Sequence, residues 1–189
     1  MSRPDTVSSV VAQIERRFGP LLSARPVELD RDSPPGGRPL VLCYDGSVDA
    51  RHAIRRAAEL FAGHSALVVT VWQPTAGLGT FVWAGETVGM VDFQELDQAV
   101  AAESIRIARE GVSIAQEVGL QAECLVVKAC GPVWKAILEI ADRRDAATIV
   151  MGSRGLTGLR SLLLGSVSSA VVHHTDRPTL VIPRAGVQA

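Results

Sequence analysis

From residue 39 onward, short apolar runs alternate with longer stretches of helical periodicity, and this alternation constrains the fold more than any other feature. The runs are Leu40-Val41-Leu42-Cys43-Tyr44, Ala66 to Val71, Ala122 to Val127, Ala147 to Met151 and Thr179 to Ile182. They are largely apolar at successive positions rather than at every second one. Such strands are buried on both faces, which is the signature of a parallel sheet covered by helices. Aromatic residues make up only 4% of a chain that is 47% hydrophobic, so Val, Leu, Ile and Ala must build the core. The intervening segments read as helices. Ala50, Ala53, Ile54 and Ala57 share one face opposite Arg51, Arg55 and Arg56, and Phe93 to Val118 forms a long amphipathic helix closed by Gly119. Gly131-Pro132 opens a third helix, with Val133, Ala136, Ile137 and Ile140 facing the core, and a last helix runs from about Gly165 to His174. Strand and helix alternate throughout, so the sequence predicts an α/β fold with a five-stranded, parallel, doubly wound sheet. No internal repeat is visible, which implies one copy of the domain.

Residues 1–38 follow a different pattern. Val7, Val10, Val11, Ile14 and Phe18 recur at helical spacing, Thr6 is a candidate cap, and Gly19-Pro20 ends the stretch. Asp32-Ser33-Pro34-Pro35-Gly36-Gly37 then reads as a linker. The expected organisation is an N-terminal amphipathic helical arm and Pro/Gly linker over 1–38, followed by a domain over 39–186. The arm either packs on its own domain or serves a partner. The formal net charge is −1, which gives no electrostatic reason to expect nucleic acid as a partner. No apolar run reaches the length of a membrane span, and the N-terminus lacks the pattern of a signal peptide. Cys43, Cys124 and Cys130 show no CxxC spacing, and the first two lie in strand-like runs, so reduced, buried thiols are expected. These features together predict a cytoplasmic protein without membrane or nucleic-acid partners.

The richest local signal is Gly152-Ser153-Arg154-Gly155, a spacer of nine residues, then Gly165-Ser166. Glycine at 152 and 155 permits positive φ and removes Cβ atoms, letting backbone N–H groups converge on an anion. Gly165 and Ser166 open the last helix, whose free N–H groups and dipole favour negative charge. Ser166 either caps that helix or donates to a phosphate, and Arg154 and Arg160 add positive charge at the rim. A glycine-rich strand-to-helix loop is also, in many α/β proteins, only a tight turn. This loop is not a P-loop, since no Gly-Lys-Ser/Thr follows, and it is not a dinucleotide fingerprint, which belongs after the first strand. Asp45 ends the first strand. If the first and fourth strands are neighbours where strand order reverses, Asp45 and Gly152 flank one crevice. A carboxylate there accepts hydrogen bonds from ribose hydroxyls, while the alternative role for Asp45 is turn formation in Asp45-Gly46-Ser47, with Ser47 capping the next helix.

Residues 39–183 resemble the universal stress protein family. The matching residues are Asp45-Gly46-Ser47, Ile149-Val150-Met151 leading into the glycine loop, Gly165-Ser166-Val167-Ser168, and the closing His174-Thr175-Asp176-Arg177-Pro178-Thr179-Leu180-Val181-Ile182-Pro183. The loop motif in this setting marks the ATP-binding branch. The resemblance implies an adenine-nucleotide alpha hydrolase-like fold with strand order 3-2-1-4-5, and a homodimer formed through the last strand, Thr179, Leu180, Val181 and Ile182. It also implies that Asp45 meets the ribose, that the Val71 backbone meets adenine, and that Gly152, Gly155, Gly165 and Ser166 hold the phosphates. Met151, Arg154 and Val167 complete the nucleotide-binding set. A divalent ion, Mg2+ or Mn2+, would ride on the phosphate oxygens rather than on protein ligands. This chain departs from the family pattern in carrying Cys43-Tyr44 before Asp45, where Tyr44 changes the pocket floor if it points inward, and in its lead-in over 1–38. The glycine-rich loop from Gln73 to Met90, with Phe81 and Trp83, reads either as a lid or as a surface loop.

Other constellations offer less. His173 and His174 point about 100° apart on a helix and do not converge on one ion, so a charge role at the helix C-terminus is expected. Asp142, Arg143, Arg144 and Asp145 read as a solvated helix end. There is no Gly-x-Ser-x-Gly elbow and no positioned general base beside the loop. The expected function is therefore a dimeric, ATP-binding regulatory or stress-response protein with an unidentified partner. Catalysis is not its expected purpose; the competing readings are a slow ATPase or phosphotransferase and a nucleotide-free dimerising scaffold.

Overall fold

A computed structural model of the chain describes residues 37–74, 93–156 and 164–183, with side chains 93–95 excepted. The arm over 1–36, most of the 73–92 loop and most of the nine-residue spacer lie outside the described residues. The described elements follow in the order β1 (Leu40–Cys43), α1 (Val48–Leu60), β2 (Ser65–Trp72), α2 (Phe93–Glu117), β3 (Gln121–Lys128), α3 (Val133–Arg143), β4 (Thr148–Gly152), α4 (Ser166–His174) and β5 (Thr179–Ile182). All pairings are parallel and the strand order is β3-β2-β1-β4-β5. The chain moves outward from β1 to β3, then returns to lay β4 against the other side of β1. Parallel crossovers are nearly always right-handed, so this reversal places α1 and α2 on one face and α3 and α4 on the other.

The apolar composition of the strands follows from that sandwich. Leu40, Val41 and Leu42 are fully buried. Leu40 and Leu42 face one core with Ile54, Ala57 and Val68, whereas Val41 faces the other with Leu67, Val69 and Ile149. The helices end where the sequence says they should. Ser47 caps α1, its hydroxyl accepting from Ala50 N–H at 3.2 Å. Gly119 takes φ +87° just after α2, a conformation that favours glycine.

Two charged groupings play more definite parts than their sequence suggested. The segment from Asp142 to Asp145 is not simply a solvated helix end. Arg177, ahead of β5, donates to Asp142 at 2.9 Å and to Asp145 at 3.3 Å, and Arg38, ahead of β1, meets Asp145 at 2.8 Å. Asp145 adopts φ 45°, so the turn after α3 ties together the starts of β1 and β5. The second grouping surrounds Tyr44, whose ring turns toward α2. Its hydroxyl donates to Glu110 at 2.7 Å and accepts from Arg51 Nε at 3.1 Å, and Arg51 pairs with Glu110 at 2.8 Å. Burial, ahead of the opposing effects of Arg51 and Glu110, pushes the Tyr44 hydroxyl up to about 12. The Tyr44 hydrogen bond, more than either arginine, holds the Glu110 carboxyl below its ordinary value.

The cysteines divide differently from the expectation of buried thiols. Cys124 is exposed because β3 is an edge strand, and Cys130 is exposed as well; only Cys43 is partly covered.

Close approach of α2 to the sheet depends on Gly111. A Cβ there would lie 2.7 Å from Tyr44 Cδ1 and 2.8 Å from Val68 Cγ1. Gly111→Ala should therefore lower stability by about 1–3 kcal/mol from overpacking, although alanine in a helix ordinarily gains about 1 kcal/mol over glycine. Urea unfolding measures the difference, and a stabilised variant would contradict this packing.

Candidate nucleotide-binding cleft

The strand order reverses between β1 and β4, and a cleft of about 460 Å³ opens at their carboxyl ends. Ligand sites in open α/β sheets gather at such a junction because the loops leaving two adjacent strands diverge to opposite faces. The lining includes every residue of the nucleotide-binding set that the resemblance implied: Asp45, Val71, Met151, Gly152, Arg154, Gly155, Gly165, Ser166 and Val167; Arg160, expected at the rim, lies outside the described residues. These residues come from the ends of β1, β2 and β4 and the start of α4, so the fold gathers positions spread over much of the domain.

Asp45 combines both roles considered for it. Its Oδ1 accepts from Ser47 N–H at 2.9 Å, closing the turn that starts α1. Its Oδ2 faces the glycine loop, so close to Gly155 that a Cβ on that glycine would stand 2.7 Å away. One oxygen shapes the backbone while the other meets the glycine loop.

The glycines are needed for contact rather than for unusual φ. None of Gly152, Gly155 and Gly165 has a positive φ; among the described glycines the positive values belong to Gly37, Gly46, Gly63 and Gly119. A Cβ at Gly152 would come within 2.9 Å of the Asp49 carbonyl carbon and 3.0 Å of its oxygen. Gly152 thus lets α1 press on the end of β4 at a position that also lines the cleft. Gly165 is looser, with a Cβ 3.4 Å from Ser153 O and 3.5 Å from Arg154 Cα.

A hydrogen-bond staple fixes the loop to α4. Ser153, only 4% exposed, donates its N–H to Ile182 O at 2.8 Å. Its carbonyl accepts from Gly165 N–H at 2.7 Å and from Ser168 Oγ at 3.0 Å. This brings the start of α4 against the cleft. Its N-cap is Gly165, which provides no side-chain hydrogen bond to the first turn. The amides of that turn and the helix dipole then favour an anion.

The other end of the cleft is apolar. Val69, Val71, Val133, Ile137 and Met151 line it, with Gln73 at its edge. Val133 and Ile137 were legible only as core positions of a helix. Gln73 continues the two-residue alternation from Val69 and Val71, which is the signal that places it on the same side. Tyr44 also reaches the lining, but its ring packs toward Gly111 and its hydroxyl toward Arg51 and Glu110. Desolvation, followed by the nearby Asp45 charge, pushes the Cys43 thiol up to about 12.

Among the described residues, no group of three or more His, Cys, Asp or Glu is placed to hold a metal ion. His174 stacks on Trp134 with ring centroids 4.4 Å apart, its Nδ1 lying 2.9 Å from the Ala170 carbonyl. No described helix is long and apolar enough to cross a membrane.

The sequence model of the universal stress protein family matches residues 37–183. The chain belongs to the universal stress protein family. A universal stress protein of Thermus aquaticus is 30% identical over 145 residues, covering 76% of this chain and 96% of that protein. One from Methanocaldococcus jannaschii is 28% identical over 149 residues, covering 77% and 81%. A Bacillus subtilis member is 35% identical over 88 residues, a stretch spanning 47% of this chain and 58% of that protein. The same fold occurs in a universal stress protein solved with cAMP, at TM-score 0.54 and 22% identity over 78% of this chain and 98% of that one. It occurs in an Archaeoglobus fulgidus member with dAMP, at TM-score 0.51 and 23% identity over 76% and 96%. An Arabidopsis thaliana member with AMP bound gives TM-score 0.52 and 17% identity over 78% and 92%.

Two measurements check this geometry. Gly152→Ala should cost about 2 kcal/mol, since the Asp49 backbone has little room to yield, while Gly165→Ala should leave the melting temperature within about 1–2 °C of the parent. Equal melting temperatures for the two variants would contradict the assigned packing. In native protein at pH 8, Ellman's reagent should modify Cys124 and Cys130 and leave Cys43 until denaturation. The folded Cys43 value lies above the unfolded 9.0, so the stability contributed by the neutral thiol is intact below pH 9 and is lost as pH rises toward about 12.

Proposed function

We propose that this protein binds ATP in the cleft at the β1–β4 junction and acts as a nucleotide-dependent regulatory protein in the stress response. The observation that carries the reading is the joining of two chemically different ends in one cleft. Asp45, Gly155 and the uncapped start of α4 form a polar end, and Val69, Val71, Val133 and Ile137 form an apolar one. That division suits a flat base at one end and phosphates at the other, with Asp45 accepting from ribose hydroxyls. The adenine nucleotides bound by three structural neighbours support the same class of ligand.

Backbone amides of Gly155, Gly165, Ser166 and Val167 would hold the phosphates, and Met151 and Arg154 would border them. A Mg2+ or Mn2+ ion would be carried on phosphate oxygens, in keeping with a cleft whose described residues offer no cluster of metal ligands. Asp45 is the cleft's acidic side chain and it is engaged in the turn, which favours holding nucleotide over converting it. β5 lies at an edge of the sheet and offers Thr179, Leu180, Val181 and Ile182 for pairing with a second copy, so the working form proposed is a cytoplasmic homodimer.

Isothermal titration with MgATP tests the reading. The parent should bind one nucleotide per chain. Asp45→Asn keeps an acceptor for Ser47 N–H and removes the charge facing the cleft, and should weaken binding about tenfold, the equivalent of about 1.4 kcal/mol. The absence of any heat or thermal shift with MgATP in the parent would overturn the proposal.

A further inference from the structure

We infer that Gln73 reads the base, selecting a purine with an amino group at C6 over one with a carbonyl there. The inference rests on the nucleotide reading above and gives that site its specificity.

Gln73 lies just past the end of β2 and lines the apolar end of the cleft. Side chains two apart along an extended strand share a face, so Gln73 stands in line with Val69 and Val71. Trp72, between them, turns away: the Lys128 ammonium lies 5.2 Å from its ring centroid, and Lys128 pairs with Asp97 of α2, on the opposite face from α3. Across the slot, Val133 and Ile137 of α3 supply the facing wall. Gln73 and the approach to α3 therefore bound the mouth of the apolar slot.

The orientation of the Gln73 amide is fixed by chemistry. Its Nε2 donates to the Gly131 carbonyl at 3.0 Å. A carbonyl only accepts, so the NH2 end must face Gly131. The acceptor Oε1 is the end remaining for a base edge. Adenine presents an amino donor at C6 and satisfies that acceptor. Hypoxanthine or guanine presents a carbonyl at C6, which places two acceptors against each other at the mouth of the slot. A flexible glutamine alone would rotate its amide to suit either base. The hydrogen bond to Gly131 opposes that rotation, since reversal would set Oε1 against a second carbonyl. Selectivity therefore depends on the Gln73–Gly131 clasp as well as on the side chain itself.

The test is a double-mutant cycle between protein and ligand, using the full chain, ATP and inosine triphosphate. Inosine triphosphate changes the amino group at C6 to a carbonyl and leaves ribose and phosphates untouched. Dissociation constants are measured by titration calorimetry with Mg2+ for the parent, Gln73→Leu and Gln73→Glu. Gln73 is exposed, so neither variant disturbs the core. The parent should prefer ATP by about tenfold or more, and Gln73→Leu should bring the two constants within about threefold of each other. Gln73→Glu presents only acceptor oxygens, so it should still prefer ATP to inosine triphosphate even though it can no longer donate to Gly131. A parent that binds both nucleotides equally, or a Gln73→Leu variant that keeps the parent's preference, would overturn the base-reading role while leaving the nucleotide site in place. A parent that binds neither would overturn the nucleotide reading and this inference with it.

Discussion

The parallel pairing of β1 with β4 is the constraint on which the site depends. Leu40, Val41 and Leu42 register with Thr148, Ile149 and Val150, and the three β1 residues are completely buried. Because β1 also pairs with β2, it is the strand from which the sheet grows in both directions. The loops leaving β1 and β4 therefore depart toward opposite faces, and the space between them cannot be filled by either following helix. The cleft is a consequence of strand order. Asp45 and the glycine loop give that space its chemistry.

The three loop glycines illustrate how one residue type serves different physical ends. At Gly152 the missing Cβ makes room for the Asp49 backbone, so the residue joins α1 to the sheet. At Gly155 it makes room for the Asp45 carboxylate, drawing the two cleft walls together. At Gly165 the contacts are ordinary; its N–H is held by Ser153 O, and the residue offers no side-chain cap to α4. All three line the cleft. The motif thus sets three separate contacts around the cleft, and replacing each glycine should perturb a different one.

Much of this was legible in the sequence because buried parallel strands are apolar at successive positions. Leu40 to Tyr44 and Ala147 to Met151 could be read as strands from composition alone, and Gly119 and Ser47 marked helix ends through local backbone chemistry. Strand order was legible only through family resemblance, since no local pattern states which strand neighbours which. Cys124 was misread because edge and central strands share the same apolar vocabulary, while their exposure depends on the order of the sheet. The ties from Asp142 and Asp145 to Arg177 and Arg38 join residues far apart in the chain, which charge patterning along one helix cannot reveal. For the glycine loop, the expectation of positive φ failed because crowding from Asp49 and Asp45 is a tertiary fact. Val133 and Ile137 escaped notice as cleft residues because an apolar cleft wall and a buried helix face carry the same sequence signal.

The central claim is that Asp45, the glycine loop and the start of α4 together form the nucleotide site. The most direct measurement is a titration of isotopically labelled protein with MgATP, followed through its backbone amide resonances. The account predicts that the largest shifts fall on Gly155, Gly165, Ser166 and Val167, with smaller ones at Val71 and Gln73 and little change along β3. Saturating changes confined to another surface, or none at all, would contradict it.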